Sequence, residues 1–174
     1  MSGLLDAIPL HRSPTELGPL LEGTVETLRQ QATALDIALV LDAEPGLPQA
    51  FVDAEKVAWA VATLVGNAVR YARRGTRRLP GGSIRVRLRA EDGWVIVTVE
   101  DDGPGIPQDK LATLFRRGHG VSPGTGLALM LVRDVVTAHG GSVDVKSTRK
   151  AFASGTSVTL RLPAAATSHE GPAA

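Results

Sequence analysis

The sequence predicts an α+β protein built as a two-layer sandwich, with helices covering one side of a β-sheet. Three segments, at about 19–35, 54–73 and 126–138, carry apolar residues at helical spacing. About five segments have the composition of strands, and most of them lie late in the chain, where they follow one another as hairpins. Hairpins pair strands antiparallel, so we expect a sandwich and not a doubly wound parallel sheet.

Composition limits the possible functions. The 174 residues are enough for one domain with an apolar core, and 43% of them are apolar and 21% charged, as in folded soluble proteins. Aromatic residues make up only 3%, so the core must be aliphatic. A net charge of +1 gives no general attraction to nucleic acid, and we expect no nucleic-acid partner.

The chain carries no sign of secretion or of membrane insertion. No signal peptide is visible, and the longest uncharged run, residues 57–69, is shorter than the roughly 20 residues of a membrane helix. The absence of cysteine excludes disulfides and fits a reducing compartment. We therefore expect a cytoplasmic segment without membrane contact, with any membrane attachment supplied by another segment or a partner.

The first helix is expected to follow a lead-in of 18 residues, in which a helix ends near Ile8 and Pro9 and Pro14 then impose an extended stretch. Residues 13–16 resemble a capping box, but a helix that began there would contain Pro19 in its interior, at a cost of about 3 kcal/mol. We therefore place the helix start at Pro19. An apolar stripe then follows, formed by Leu21, Val25, Leu28, Ala32 and Leu35.

Two short strands, 37–41 and 50–52, are expected next, on either side of a Pro-Gly turn. Asp53 is positioned to cap the second helix, at about 54–73. Residues 75–82 form a basic, glycine-rich connection.

The later strands have clear patterns. Residues 84–89 alternate aliphatic with arginine, which predicts a strand with one wet face, and Gly93 marks a hairpin to a more deeply buried strand at 94–99. We expect a short helix at 108–116, a loop at 118–126, and a helix at 126–138 that ends before Gly140. The expected last strand pair is 142–147 with 156–162, and residues 164–174 are expected to be a disordered tail.

One face of the second helix carries polar residues that suit a nucleotide. Thr63, Asn67, Arg70 and Tyr71 share this face, since residues three and four apart are neighbours on a helix. An amide oxygen suits Mg²⁺, a guanidinium neutralises phosphate, and a ring packs on a base or ribose. Taken alone, the segment is better explained as a solvated helix edge with one polar residue facing inward.

An acidic turn follows the buried strand. Asp101 stands at the strand end, where a carboxylate can accept a hydrogen bond from an exocyclic amine and so favours adenine over guanine. Gly103 and Gly105 let the backbone approach a base, and Ile106 follows them. A simple Asp-Gly turn is the alternative explanation.

A glycine-rich segment opens the third helix. Gly124, Thr125, Gly126 and Leu127 place free backbone N–H groups at a helix start, which attracts phosphate. The segment is neither a Walker A loop nor a dinucleotide fingerprint, because the required residues and spacing are absent. A flexible loop entering a helix remains the alternative.

The three segments in this order resemble the conserved boxes of the GHKL superfamily, specifically of the catalytic ATP-binding domain of bacterial sensor histidine kinases. Residues 67–71 are similar to the N box, 101–106 to the G1 box, 114–115 to the F box and 124–129 to the G2 box. Residues 155–163 are similar to the end of these domains. The resemblance covers roughly residues 12–163.

The resemblance implies a Bergerat sandwich, a mixed and mostly antiparallel sheet under three helices, that binds ATP and Mg²⁺. It implies that Asn67 is the metal ligand, that Arg70 contacts phosphate, that Tyr71 packs on the nucleotide and that Asp101 bonds the adenine amine. The implied pocket also includes Gly103, Gly105, Ile106, Gly124, Thr125, Gly126, Leu127 and Thr156. A lid over the phosphates would contain Phe115, Arg116 and Arg117.

The implied organisation has three parts: the end of a dimerisation helix with its linker at 1–18, the catalytic domain at 19–163, and the tail at 164–174. None of the four histidines has the context of a phosphoacceptor. The implied partners are therefore a histidine-bearing dimerisation domain, in the same full-length protein or a separate chain, and a downstream response regulator. The implied activity is that of a histidine protein kinase that is not self-sufficient in this chain.

The chain departs from the family pattern at Thr63, one turn before Asn67, where kinases usually carry a second Asn and gyrase-like ATPases a Glu. Threonine cannot act as the base that activates water, which disfavours an autonomous ATPase. It also removes a polar ligand near the metal, and the lid is short. These departures leave open a degenerate, non-catalytic module that regulates a kinase by docking.

Overall fold

The structure is a computed structural model that describes residues 9–114, 126–150 and 153–166. Within these residues the chain forms four helices and seven strands. In chain order they are β1 (Ser13–Thr15), α1 (Leu17–Ala34), β2 (Ala38–Ala43), β3 (Ala50–Val52), α2 (Ala54–Tyr71), β4 (Ser83–Glu91), β5 (Trp94–Asp101), α3 (Gln108–Leu111), α4 (Gly126–Ala138), β6 (Ser142–Lys150) and β7 (Ala153–Pro163).

The main sheet has five strands in the order β2-β4-β5-β7-β6. β2 runs parallel to β4, and every other neighbouring pair is antiparallel. The β4–β5 hairpin turns at Asp92 and Gly93, both of which have positive φ, as a tight turn between twisted strands requires. The predicted α+β sandwich with a mixed, mostly antiparallel sheet is confirmed.

One face of the sheet forms the core together with α1, α2 and α4. Ile84, Val86 and Leu88 are fully buried, while the arginines that alternate with them, at 85, 87 and 89, face the opposite side. Two of these arginines pair with carboxylates of neighbouring strands, Arg87 with Glu100 at 3.3 Å and Arg89 with Asp42 at 3.0 Å. The alternation in the sequence therefore places an aliphatic core on one face and ion pairs on the other.

The first helix begins earlier than predicted, at Leu17 instead of Pro19. Pro19 is the third residue of the helix, where backbone N–H groups have no partner within the helix, so the proline removes no hydrogen bond. The expected cost of an interior proline therefore does not apply.

Two further expectations need correction. Part of the lead-in, Ser13–Thr15, is a strand that pairs antiparallel with β3 in a separate two-stranded sheet. The first residues of the expected tail are hydrogen-bonded, because Ala164 bridges to Ala50 and the Ala165 N–H donates to the Gln49 carbonyl at 2.7 Å. The rest of the expected tail, residues 167–174, lies outside the described part of the chain.

Asp53 and His139 form a buried polar contact between the start of α2 and the end of α4. Asp53 caps α2 as predicted, since its carboxylate accepts from the Lys56 N–H at 3.2 Å, and it also accepts from the His11 N–H at 2.9 Å. The His139 ring accepts the Asp53 N–H at Nε2 (3.0 Å) and donates from Nδ1 to the Val135 carbonyl (2.7 Å). The neutral imidazole thus links the start of α2 to the end of α4.

These contacts shift the pKa values of both side chains. Burial alone would raise the pKa of Asp53, but hydrogen bonds from the His11 and Lys56 N–H groups and the Lys56 ammonium outweigh burial and lower it from 3.8 to about 2. The shift stabilises the fold by about 2 kcal/mol above pH 3.8, and this contribution is lost as the pH falls towards 2. Burial lowers the pKa of His139 below 6.5, with Arg12 and Lys56 acting in the same direction.

Because the folded state disfavours the charged form of His139, the unfolded chain binds more protons than the folded chain just below pH 6.5. The free energy of unfolding should therefore decrease as the pH falls from 7.5 to 5, as measured by urea titration. His139→Gln, which does not titrate, should show a smaller decrease. His11→Gln leaves the buried ring in place and is the matched control. An unchanged pH dependence in His139→Gln would contradict this assignment.

Candidate functional site

A cavity of about 350 Å³ opens between α2, the ends of β5 and β7, and the segment that leads into α3. Its size is within the range of pockets that hold small molecules. Its walls are mostly apolar, with a few polar groups. The described lining residues are Leu64, Asn67, Ala68, Tyr71, Val99, Asp101, Pro104, Gly105, Ile106, Pro107, Lys110, Leu114, Leu129, Thr156 and Val158.

Asn67 reaches this cavity from the last turns of α2. Its neighbours Leu64 and Ala68 are buried in the core, which fixes the rotation of the helix about its axis. The Asn67 Nδ2 atom is buried and has no hydrogen-bond partner within the described part of the chain. An unpaired buried amide costs roughly 1–3 kcal/mol, so this atom indicates a site completed by a ligand.

The other polar residues of α2 lie differently. Tyr71 lines the cavity and is 42% exposed. Arg70 is not among the described lining residues, and its guanidinium carbon lies 5.8 Å from the centre of the Tyr71 ring. The Thr63 hydroxyl donates to the Trp59 carbonyl of its own helix at 2.8 Å. Of the four polar residues predicted to share a helix face, only Asn67 and Tyr71 are among the described residues that line the cavity.

Asp101 ends β5 at the cavity wall. Its Oδ1 accepts from the Gly103 N–H at 2.8 Å, and the Thr156 backbone N–H on the neighbouring strand also donates to its carboxylate. Burial raises the pKa of Asp101 above 3.8, and the nearby Asp102 carboxylate adds to the increase. Asp102 itself bonds the Ser83 N–H at 2.9 Å and is not a lining residue. At neutral pH Asp101 therefore presents a partly desolvated acceptor to the cavity.

The glycines of the acidic turn allow the backbone to pass close to neighbouring strands. Gly105 has φ +73°, and a Cβ there would lie 2.4 Å from the Thr148 carbonyl oxygen. A Cβ on Gly103 would lie 2.8 Å from the Asp101 Oδ1 and 3.0 Å from the Tyr71 carbonyl oxygen. Ile106 and Gly105 line the cavity, whereas Gly103 is not among the described lining residues and donates its N–H to the Asp101 carboxylate.

The G2-like segment and the lid are described only in part. Leu127 is 63% exposed and is not among the described lining residues, whereas Leu129 of the same helix does line the cavity. Gly126 is the first residue of α4. Phe115, Arg116, Arg117, Gly124 and Thr125 lie outside the described residues.

Sequence reasoning missed one charged residue of the wall, Lys110. It is the cation among the described lining residues and belongs to α3, which is shorter than the predicted 108–116 helix. Its spacing from Pro107 and Leu114, three and four residues away, would have placed all three on one helix face. That signal was available in the sequence.

Two features are absent from the part of the chain that the structure describes. No group of three or more His, Asp or Glu is arranged to hold a metal ion among them. None of the described helices is long and apolar enough to cross a membrane.

Known proteins are similar to this chain in sequence and in fold. The chain is 37% identical over 132 residues to the sensor histidine kinase DcuS of Escherichia coli K12. The aligned part is 74% of this chain and 24% of DcuS. The chain is 32% identical over 173 residues to the sensor protein ChvG of Agrobacterium fabrum, which covers 91% of this chain and 28% of ChvG. The chain thus spans about a quarter of the length of these relatives.

A solved structure shows the same fold over nearly its whole length. The mycobacterial sensor histidine kinase MprB superposes with a TM-score of 0.73 at 29% identity, covering 88% of this chain and 98% of that one.

The profile described as histidine kinase-, DNA gyrase B- and HSP90-like ATPase matches residues 52–166, which contain α2, the acidic turn and the cavity. The matched part holds Asn67, Asp101 and Thr156, which are polar residues of the cavity wall. The resemblance inferred from the sequence motifs is confirmed: this chain belongs to the histidine kinase-, DNA gyrase B- and HSP90-like ATPase family and is homologous to sensor histidine kinases.

Proposed function

We propose that this chain is the catalytic ATP-binding domain of a two-component sensor histidine kinase. It holds ATP in the cavity and donates the γ-phosphoryl group to a histidine on a separate dimerisation domain. The observation that carries the proposal is the convergence of the unpartnered Asn67 amide nitrogen and the half-buried Asp101 carboxylate on one cavity. A related structure, that of the full-length kinase ShkA, is a complex with AMPPNP (TM-score 0.77, 26% identity, 92% of this chain and 33% of that one covered).

The end of the cavity at β5 suits the adenine base. The Asp101 carboxylate accepts from the exocyclic amine, which guanine lacks at that ring position. Val99, Val158 and Leu129 provide an aliphatic surface for the flat ring, and Ile106 provides a second one. The base is thus selected by one charged acceptor inside an apolar slot.

The end of the cavity at α2 suits the phosphates and Mg²⁺. Mg²⁺ keeps most of its waters and takes few protein ligands, so a single amide oxygen fits it, and the Asn67 Oδ1 is the atom that would hold it. The unpaired Nδ2 of the same side chain is a donor and would suit a phosphate oxygen. When bound, the ion neutralises charge on the transferring phosphoryl group. Lys110 supplies a cation on the wall, and Arg70, Arg116 and Arg117 are further candidates for phosphate contact.

Transfer to a partner, and not hydrolysis, follows from the residues around Asn67. Thr63 has no carboxylate to activate water, and its hydroxyl is bonded within the helix. Of the two described histidines, His139 is buried with both ring nitrogens bonded and cannot take a phosphoryl group. His11 is followed by Arg12 and not by the acidic residue of a phosphoacceptor. The domain therefore positions ATP and neutralises charge, and the acceptor histidine comes from the dimerisation domain.

The proposal also concerns the flanking segment, the downstream partner and the compartment of the domain. Residues 1–18 would contain the end of the dimerisation helix and the linker, and a response regulator would receive the phosphoryl group downstream. The domain would lie in the cytoplasm, as the cytoplasmic part of a longer kinase.

Asp101→Asn should weaken ADP binding by about 10- to 100-fold, because the variant replaces a charged acceptor with a neutral amide. Calorimetric titration with ADP measures the loss, and GDP is the ligand control. Asp102→Asn is the matched variant, since this neighbouring carboxylate bonds Ser83 outside the cavity, and it should bind as the unmodified chain does. Undiminished affinity in Asp101→Asn would refute the proposed base site.

Lys110→Gln should weaken ADP binding about threefold to tenfold and leave adenosine binding unchanged, because only the phosphates would contact the ammonium group. Arg70→Gln is the comparison variant, since Arg70 stacks near Tyr71 and is not a described wall residue. A larger loss in Arg70→Gln than in Lys110→Gln would return the phosphate contact to Arg70.

The chain alone should hydrolyse ATP slowly and should phosphorylate a supplied dimerisation domain, as followed with γ-labelled ATP and Mg²⁺. A supplied domain with its acceptor histidine replaced by glutamine is the control and should remain unlabelled. Asn67→Ala should lower the transfer, since the variant loses the metal ligand. Nucleotide binding without transfer would favour a docking module, and sustained hydrolysis by the chain alone would favour a gyrase-like ATPase.

A further inference from the structure

The Ser147 hydroxyl of β6 lies behind the cavity, where three hydrogen bonds meet. The Ile106 N–H donates to it at 2.7 Å, it donates to the Gly155 carbonyl at 3.0 Å, and it shares a bond with the Thr156 hydroxyl at 3.0 Å. Neither the sequence motifs nor the proposed binding of ATP has used this residue.

The directions of these bonds follow from elementary chemistry. A hydroxyl has one proton and two lone pairs. The Gly155 carbonyl can only accept, so it takes the Ser147 proton, and the Ile106 N–H can only donate, so it occupies one lone pair. The remaining bond must then be donated by Thr156, whose own proton is directed to Ser147 and away from the cavity.

Thr156 and Asp101 are paired residues on adjacent strands, and both line the cavity. With its proton committed to Ser147, the Thr156 hydroxyl has only lone pairs left for a ligand. The Asp101 carboxylate is likewise an acceptor. This wall therefore presents two hydrogen-bond acceptors side by side, the Thr156 hydroxyl and the Asp101 carboxylate. Such a pair favours an amine, which has two N–H groups to donate, and disfavours a carbonyl, which can only accept.

We propose that Ser147 is a specificity-determining positioning residue: it orients the Thr156 proton and holds the Ile106 backbone, so that the cavity selects a base with an exocyclic amine over one with a carbonyl. The inference rests on the proposed binding of adenine nucleotides and adds the residue that fixes the polarity of the wall. Ser147 does not touch the ligand and acts through Thr156 and Ile106.

The test compares ADP with inosine diphosphate, which carries a carbonyl where ADP carries the amine. Without the Ser147 oxygen, the Thr156 hydroxyl is free to turn its proton into the cavity. Calorimetry on the full chain should show that Ser147→Ala weakens ADP binding about fivefold to tenfold, while inosine diphosphate binding is unchanged or stronger. The preference for ADP should therefore shrink by at least the same factor.

The controls separate this role from a structural one. Ser147→Thr keeps the hydroxyl on a strand-favouring residue and should restore the preference, and Ser142→Ala changes an exposed serine of the same strand and should leave it unaltered. A structural defect would weaken both ligands equally, and an unchanged ratio in Ser147→Ala would overturn the proposal. Thr156→Val provides a second test if Ser147→Ala does not fold, since it removes the acceptor and should also reduce the preference.

The failure of the inference can be told apart from that of the proposed function. If the unmodified chain binds no ADP, the proposed function fails and the inference falls with it. If it binds ADP but does not discriminate against inosine diphosphate, only the acceptor wall is overturned.

Discussion

The position of the site depends on the packing of one helix, α2, across the sheet. Its inward face is entirely aliphatic, formed by Val57, Val61, Leu64, Val65 and Ala68, and it is buried against β4, β5 and the other helices. Each buried Leu or Val contributes roughly 1.5–3 kcal/mol, so the rotation of α2 about its axis is strongly fixed. The same rotation brings Asn67 to the cavity and leaves Arg70 beside Tyr71, outside the described wall.

The two ends of α2 have different tasks. At its start, Asp53 joins the N-terminal segment through a partly buried hydrogen bond and His139 through a buried one, and both stabilise the fold. Near its end, about 20 Å away at 1.5 Å per residue, Asn67 has a buried amide nitrogen without a partner in the described chain. The polar groups at the start of α2 are hydrogen-bonded, whereas the Asn67 amide nitrogen has no partner among the described residues and lies where a ligand would bind. This contrast is the physical basis of the functional proposal.

The opposite wall is organised by close backbone packing. Gly105 and Gly155 lie where a Cβ would be within 2.4 Å of a neighbouring carbonyl oxygen, so the turn and the strand ends approach each other more closely than other residues would allow. Ser147 bonds across this contact and connects the turn to Thr156. The end of the cavity at β5 is therefore closely packed and polar on one side, while residues 115–125, between α3 and α4, lie outside the described residues.

The sequence by itself determined the layers of the fold, because the spacing of hydrophobic residues and the positions of glycine turns depend on local backbone geometry. The alternation of aliphatic residues in β4, the Asp53 cap and the order of the three motifs could all be predicted from the sequence. The tertiary structure decided what depends on contacts between distant segments. The pairing of Ser13–Thr15 with β3, the burial of His139 and the Ser147 hydrogen bonds join residues far apart in the chain. Which of Asn67, Arg70 and Lys110 lines the cavity was likewise decided by packing, since helical spacing fixes a shared face but not where that face points.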